Sequence, residues 1–219
     1  MSQEENVLIP SSHIHLDGRL HIPNNPKGLV LFVHGSGSSR FSSRNLFVAS
    51  ILNKAKLATL LFDLLTPEED AIDEYTREFR FNIPLLATRL LDARSWCKQQ
   101  KLLNPLPFGY FGASTGAGAA LLAAAKEPEG IKAIVSRGGR PDLAGSFLSQ
   151  VKAPTLFIVG ENDPVVIQLN QTVHEQITCY SELEVVPGAT HLFEEPGTLE
   201  EVARLAKSWF SHYLTSTGL

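Results

Sequence analysis

Ser114 stands between two glycines in Gly112-Ala113-Ser114-Thr115-Gly116, and a hydroxyl so placed is a candidate nucleophile. An apolar run at 108–111 stops abruptly at this pentapeptide and continues as an alanine- and leucine-rich stretch of good helix formers. The spacing predicts a strand, a sharp turn and a buried helix. A turn that tight forces its central residue into a strained backbone conformation, which is tolerable where the residues two before and two after carry no side chain. Gly112 and Gly116 meet that demand. Ser114 is then held at the end of the strand, and the Thr115 amide falls at a helix N-terminus, ready to donate to a developing oxyanion. The plain alternative is a passive serine in a tight turn, and what weighs against it is the presence of partners.

A hydroxyl is a poor nucleophile at neutral pH unless a base takes its proton, and an imidazole does so best when a carboxylate fixes its tautomer. Two acids and three histidines compete for these roles. Asp163 lies in Gly160-Glu161-Asn162-Asp163-Pro164, and Asp142 closes Arg137-Gly138-Gly139-Arg140-Pro141-Asp142; both segments follow apolar runs. His191 lies in Gly188-Ala189-Thr190-His191-Leu192-Phe193, His174 inside a predicted helix, and His34 at the head of His34-Gly35-Ser36-Gly37-Ser38-Ser39-Arg40, where a structural hydrogen bond is the expectation. That last loop is glycine-rich and can turn amides towards a neighbouring site. It lacks the GK[ST] ending of a phosphate-cradling loop and does not match G-x-G-x-x-G. Arg40, Arg137 and Arg140 fall on the same class of loops and are candidate contacts for a substrate carboxylate or phosphate, with ordinary solvated arginines as the alternative.

These loops need a scaffold that brings them to one edge. Residues 5–21 alternate loosely in polarity about a Pro10-Ser11-Ser12 break, which predicts two short antiparallel strands. From residue 29 onward, apolar runs at 29–33, 58–62, 108–111, 131–136, 154–159 and 182–186 alternate with helical patterns, including 45–55, 81–100, 165–177 and 199–213. Such alternation predicts a mostly parallel, doubly wound sheet with an antiparallel N-terminal edge, one α/β domain over residues 1–219. In open sheets of this kind ligands bind at the carboxyl ends of the strands, where each of these loops begins. Residues 68–74 read as an acidic, solvated loop that leaves the same edge and rims the site.

The Gly-x-Ser-x-Gly turn and the order Ser114, Asp163, His191 resemble the α/β-hydrolase superfamily, and within it the dienelactone hydrolase-like group. The Gly160 to Pro164 and Gly188 to Phe193 segments are similar to that family's acid turn and histidine loop. The resemblance implies a triad of Ser114, Asp163 and His191, and by its H-G-x segment an oxyanion hole formed by the amide of Thr115 and that of Ser36, with the Gly35 and Gly37 amides as the alternatives. Some members place the acid one strand earlier, where this chain has Asp142. Dienelactone hydrolase proper carries a cysteine at the position of Ser114, which favours ordinary ester chemistry here. Only Gly138 to Ala153 separate the strands between which larger relatives insert a cap, so no cap domain is expected. Proteins of this kind also resemble segments joined to phosphoribosyltransferase-like domains, and no such domain is expected in this chain.

Composition closes other routes. A net charge of −4 with no basic stripe argues against nucleic-acid binding. Neither a signal peptide nor an 18-residue apolar run is evident, so the expectation is a cytoplasmic protein without membrane contact. Cys97 and Cys179 have no paired spacing and read as reduced thiols. His13, His15 and His21 read as an exposed strand face without the acid that would complete a metal site. No cofactor or metal is expected. The expected activity is a serine hydrolase acting on a small-molecule ester or thioester, as monomer or dimer. An acyltransferase, a lactone hydrolase, and an inactive binding protein on the same fold remain as alternatives.

Overall fold

Leu29, Leu31 and Val33 of the first central strand pack against one helical layer and Val30 and Phe32 against the other, which is why this run is apolar without alternation. In the computed structural model, which describes residues 2–215, the strands are β1 (Gln3–Ser11), β2 (Ile14–Ile22), β3 (Gly28–Val33), β4 (Leu57–Phe62), β5 (Phe108–Ala113), β6 (Ile131–Arg137), β7 (Thr155–Gly160) and β8 (Ser181–Val186). They form one sheet in the order β1-β2-β4-β3-β5-β6-β7-β8. β1 pairs antiparallel with β2 and β2 antiparallel with β4, and every other pairing is parallel. The doubly wound sheet with an antiparallel edge is therefore as the sequence predicts.

The helices are α1 (Ser43–Lys54), α2 (Pro67–Thr76), α3 (Ile83–Gln99), α4 (Thr115–Lys126), α5 (Pro164–Gln176) and α6 (Thr198–Thr215), with a 3₁₀ segment at Pro141–Gln150. α1 and α6 cover one face of the sheet, where Val48, Leu52, Ala206 and Phe210 meet Val30, Phe32 and Phe111. α3 and α4 cover the other, where Leu90, Ala120 and Leu121 meet Leu31 and Tyr110. Gly109 of β5 is matched to this packing: a side chain there would come within 2.7 Å of the Phe210 ring. The 3₁₀ segment, Pro141–Gln150, occupies most of the short interval in which a cap would be inserted.

One element departs from expectation. Residues 68–74 are not a loop but the body of α2. Thr66 accepts from the Glu69 amide while the Glu69 carboxylate accepts from the Thr66 amide, and Pro67 opens the first turn. A reciprocal cap of this kind starts a helix that has little apolar face to hold it. Tertiary polar contacts do the rest: Glu69 receives Arg89, and buried Asp73 receives Arg80 together with the amides of Phe79 and Arg80. Among the described residues no helix is long and apolar enough to cross a membrane.

Candidate active site

Ser114 has φ 51° and ψ −124°, a left-handed conformation that a serine holds only under surrounding constraint. The constraint is steric. A Cβ on Gly116 would lie 2.1 Å from the Val33 carbonyl oxygen, and one on Gly112 would lie 2.5 Å from the Ala117 Cα. The elbow thus packs directly onto the end of β3 and the start of α4. Thr115 is the first residue of α4, so its amide has no intrahelical acceptor and points the positive end of the helix at the turn.

Asp163 and His191 meet at this edge. His191 Nδ1 lies 2.6 Å from Asp163 Oδ2, and the carboxylate is the more enclosed partner, 15% exposed against 39% for the imidazole. An ionised carboxylate only accepts, so Nδ1 carries the proton, and in a neutral imidazole Nε2 then holds the lone pair. Asp163 is also the N-cap residue of α5, a position whose side chain ordinarily accepts from the helix's own amides. Here it makes no capping bond, and the carboxylate is given to His191 instead.

The two loops that carry this pair are tied together. The Asn162 amide donates to the Ala189 carbonyl at 2.8 Å, Asn162 Nδ2 to the Gly188 carbonyl at 2.9 Å, and the Gly188 amide to Glu161 Oε2 at 2.7 Å. Gly160 is needed for this approach, because a Cβ there would stand 2.4 Å from the Ala189 oxygen. Beyond His191, buried Phe193 anchors the loop, and Glu195 accepts from the amide and the hydroxyl of Thr190.

The competing residues are engaged elsewhere. Asp142 accepts Arg140 through both carboxylate oxygens, at 2.8 and 2.7 Å. His174 bonds Ser181 Oγ through Nδ1 at 2.8 Å. His34 is buried with both ring nitrogens in use: Nε2 accepts from the Leu64 amide at 3.0 Å, and Nδ1 therefore donates to the Gly35 carbonyl at 2.9 Å. Burial holds the His34 pKa below its ordinary value, so the ring is a neutral brace between β3 and β4.

The remaining expected site residues have these partners. The Ser36 amide donates to Thr115 Oγ1 at 2.9 Å, the hydroxyl of this first helical residue reaching back over the glycine-rich loop. Arg40 does not face the site, since its side chain is bound to the Asp63 carboxylate and its amide donates to the same group. Arg140 is held by Asp142, as above. Only Arg137 of the three arginines reaches the cleft.

That cleft, of about 210 Å³, is lined by Ser36, Ser38, Ser114, Arg137 and His191 together with Arg44 and Asn45 of α1. Sequence reasoning passed over Arg44 and Asn45, although their place in the first turn of the helix that follows the glycine-rich loop was a usable signal. A second cleft of about 240 Å³ lies across the same loop and is lined by Phe41, Leu64, Leu65, Pro67 and Leu86, with Asp70 and Arg80 at its rim. Among the described residues no cluster of His, Cys, Asp or Glu is arranged to hold a metal ion.

Residues 49–214 match the model of the dienelactone hydrolase family. The chain belongs to the dienelactone hydrolase family. A dienelactone hydrolase from Anabaena variabilis shares 55% of its residues with this family member and superposes with a TM-score of 0.95, over 97% of this chain and 99% of that one. Est1E from Butyrivibrio proteoclasticus, solved with ferulic acid bound, has the same fold at 20% identity, with a TM-score of 0.82 over 96% of this chain and 100% of that one. A curated relative from Mycobacterium tuberculosis, provisionally named a phosphoribosyl transferase, is 55% identical over 216 residues. These are 99% of this chain but 48% of the relative, so the dienelactone hydrolase family chain spans about half the length of the curated relatives it matches. Family and fold together support a hydrolase.

Proposed function

We propose that this chain is a serine hydrolase that cleaves a small ester or thioester through an acyl-enzyme, with Ser114 as nucleophile, His191 as base and then acid, and Asp163 as the group that orients His191. The observation that carries the reading is the 2.6 Å hydrogen bond between His191 and Asp163, on loops tied together at the edge where Ser114 sits strained on its elbow.

In this mechanism Ser114 Oγ attacks the carbonyl carbon as its proton passes to His191 Nε2, and the imidazolium is stabilised by Asp163. The negative charge on the carbonyl oxygen is taken by the Thr115 amide and by the Ser36 amide, which exchanges the Thr115 hydroxyl for the oxyanion. Collapse breaks the bond to the leaving oxygen or sulfur, which takes the proton from His191. Water then attacks the acyl group with His191 again as base, and Ser114 is released.

The name of the curated relative belongs to a protein twice as long. We read its transferase assignment as a property of the half that this chain does not match, because this chain carries Ser114, Asp163 and His191 on the loops of a proposed acyl-transfer site. A series of p-nitrophenyl esters of increasing chain length, run on the protein and on Ser114→Ala, tests the proposal. Turnover that falls about 10⁴- to 10⁶-fold in the variant supports it, and turnover unchanged by the substitution rejects it.

A further inference from the structure

Arg137 is 6% exposed yet forms no ion pair with any carboxylate among the described residues. Its guanidinium makes one long hydrogen bond, Nη2 to Asn45 Oδ1 at 3.4 Å, and lies 5.9 Å from the Phe193 ring. Its charged neighbour is another cation, Arg44. Burial and this repulsion pull the Arg137 pKa down to about 10, which still leaves the group charged at neutral pH. Arg44 Nη1 reaches Glu194 Oε1 at 3.2 Å, while its buried Nε has no partner. An uncompensated buried charge costs several kcal/mol, and a fold that keeps one beside a second cation is built to receive an anion.

The other lining groups point to the shape of that anion. The first turn of α1 opens onto the cleft, with its N-cap Ser42 and its residues Arg44 and Asn45 on the wall, so the positive end of a twelve-residue helix adds to the two guanidinium charges. Ser38 and Ser42 complete the lining. The unpaired Arg137, an Arg44 held by Glu194 through one terminal nitrogen only, and a helix N-terminus set around one small volume match a tetrahedral dianion better than a planar, singly charged carboxylate.

Resting on the reading of Ser114 as nucleophile, we infer that the cleft beside it is a subsite for a phosphate monoester group carried by the substrate, gripped by Arg137 and Arg44 at the N-terminus of α1. The apolar cleft across the glycine-rich loop then takes the remaining, uncharged part of the molecule.

The test uses binding, so that it does not depend on turnover. Inorganic phosphate and glutarate are titrated by calorimetry into the full chain carrying Ser114→Ala, and into the same chain with Arg137→Met or Arg44→Met added. Phosphate is expected to bind at least about tenfold more tightly than glutarate, and Arg137→Met to weaken it on the order of 10- to 100-fold, the scale of a lost charge-assisted pair. Because Arg137→Met also removes an unpaired buried charge, its melting temperature should hold or rise, which separates loss of binding from loss of fold. Equal phosphate binding with and without Arg137, no phosphate binding at all, or tighter binding of glutarate overturns the proposal. Phosphate binding together with a Ser114 that proves unreactive would keep the subsite and reject only the hydrolase reading.

Discussion

Asp163 holds His191 by a 2.6 Å hydrogen bond across 28 residues of sequence, at the expense of the capping bond it would otherwise make to α5. The helix gives up a contact ordinarily worth about 1 kcal/mol. What is gained is a fixed imidazole tautomer with Nε2 free to take a proton.

The first prediction follows from that bond. Asp163→Asn keeps the volume but offers an amide, which allows the ring to reverse its tautomer. Turnover should drop by about 10⁴-fold with little change in melting temperature. Steady-state kinetics beside a thermal melt checks it, and a loss below about tenfold would show that Asp163 only braces the loop.

Gly116→Ala should cost more than a typical point substitution, because the new methyl would lie 2.1 Å from the Val33 oxygen and neither backbone can yield without moving β3 or α4. A loss of about 3 kcal/mol or more is expected. Urea denaturation measures it, and a midpoint within error of the parent would mean that the elbow does not pack as described.

The Ser36 amide donates to the Thr115 hydroxyl, which the oxyanion of the proposed mechanism would replace. Thr115→Val removes that acceptor and leaves both amides in place. Turnover should stay within about tenfold, since the loss of an oxyanion donor itself would cost about 10²- to 10³-fold. A fall of the larger size would make the hydroxyl, and not the Ser36 amide, the second donor.

Acid should weaken the fold in two stages. Burial lowers the His34 pKa, so between that value and the ordinary one of about 6.5 the unfolded chain binds more protons, and stability is lost as the pH drops through this window. For Asp73, burial alone would raise the carboxyl, but the bonds from Arg80 and from the Arg80 and Phe79 amides outweigh it and hold the pKa below the ordinary carboxylate value. Glu69 behaves likewise, with Arg89 and the Thr66 amide outweighing its burial. Depressed carboxylates stabilise above the unfolded value and lose that contribution as pH falls through the folded one. Urea midpoints measured from pH 7.5 to 3.5 should decline twice, and His34→Asn should flatten the earlier decline only. A single transition unaffected by His34→Asn contradicts this.

How much of this could be read without coordinates depends on the range of the interaction. The sheet was legible because strands buried on both faces must be apolar throughout, as at Leu29 to Val33. The elbow was legible because only glycine fits at positions 112 and 116. The helix α2 was hidden in a charged stretch, although its Thr66-Pro67-Glu68-Glu69 start carried the capping pattern. Its other supports, Arg89 and Arg80, lie beyond its own end and leave no local periodicity. The fates of the arginines were not legible at all. Arg40 met Asp63 through tertiary packing and Arg137 met no acid, while the sequence shows the three as equals.

The central claim is that Ser114 is an activated nucleophile, and the most direct measurement is reaction with a fluorophosphonate followed by peptide mass spectrometry. The account predicts one stoichiometric adduct on Ser114, absent in Ser114→Ala and strongly slowed in His191→Ala. No adduct, or an adduct on another serine of the cleft such as Ser36 or Ser38, would contradict it.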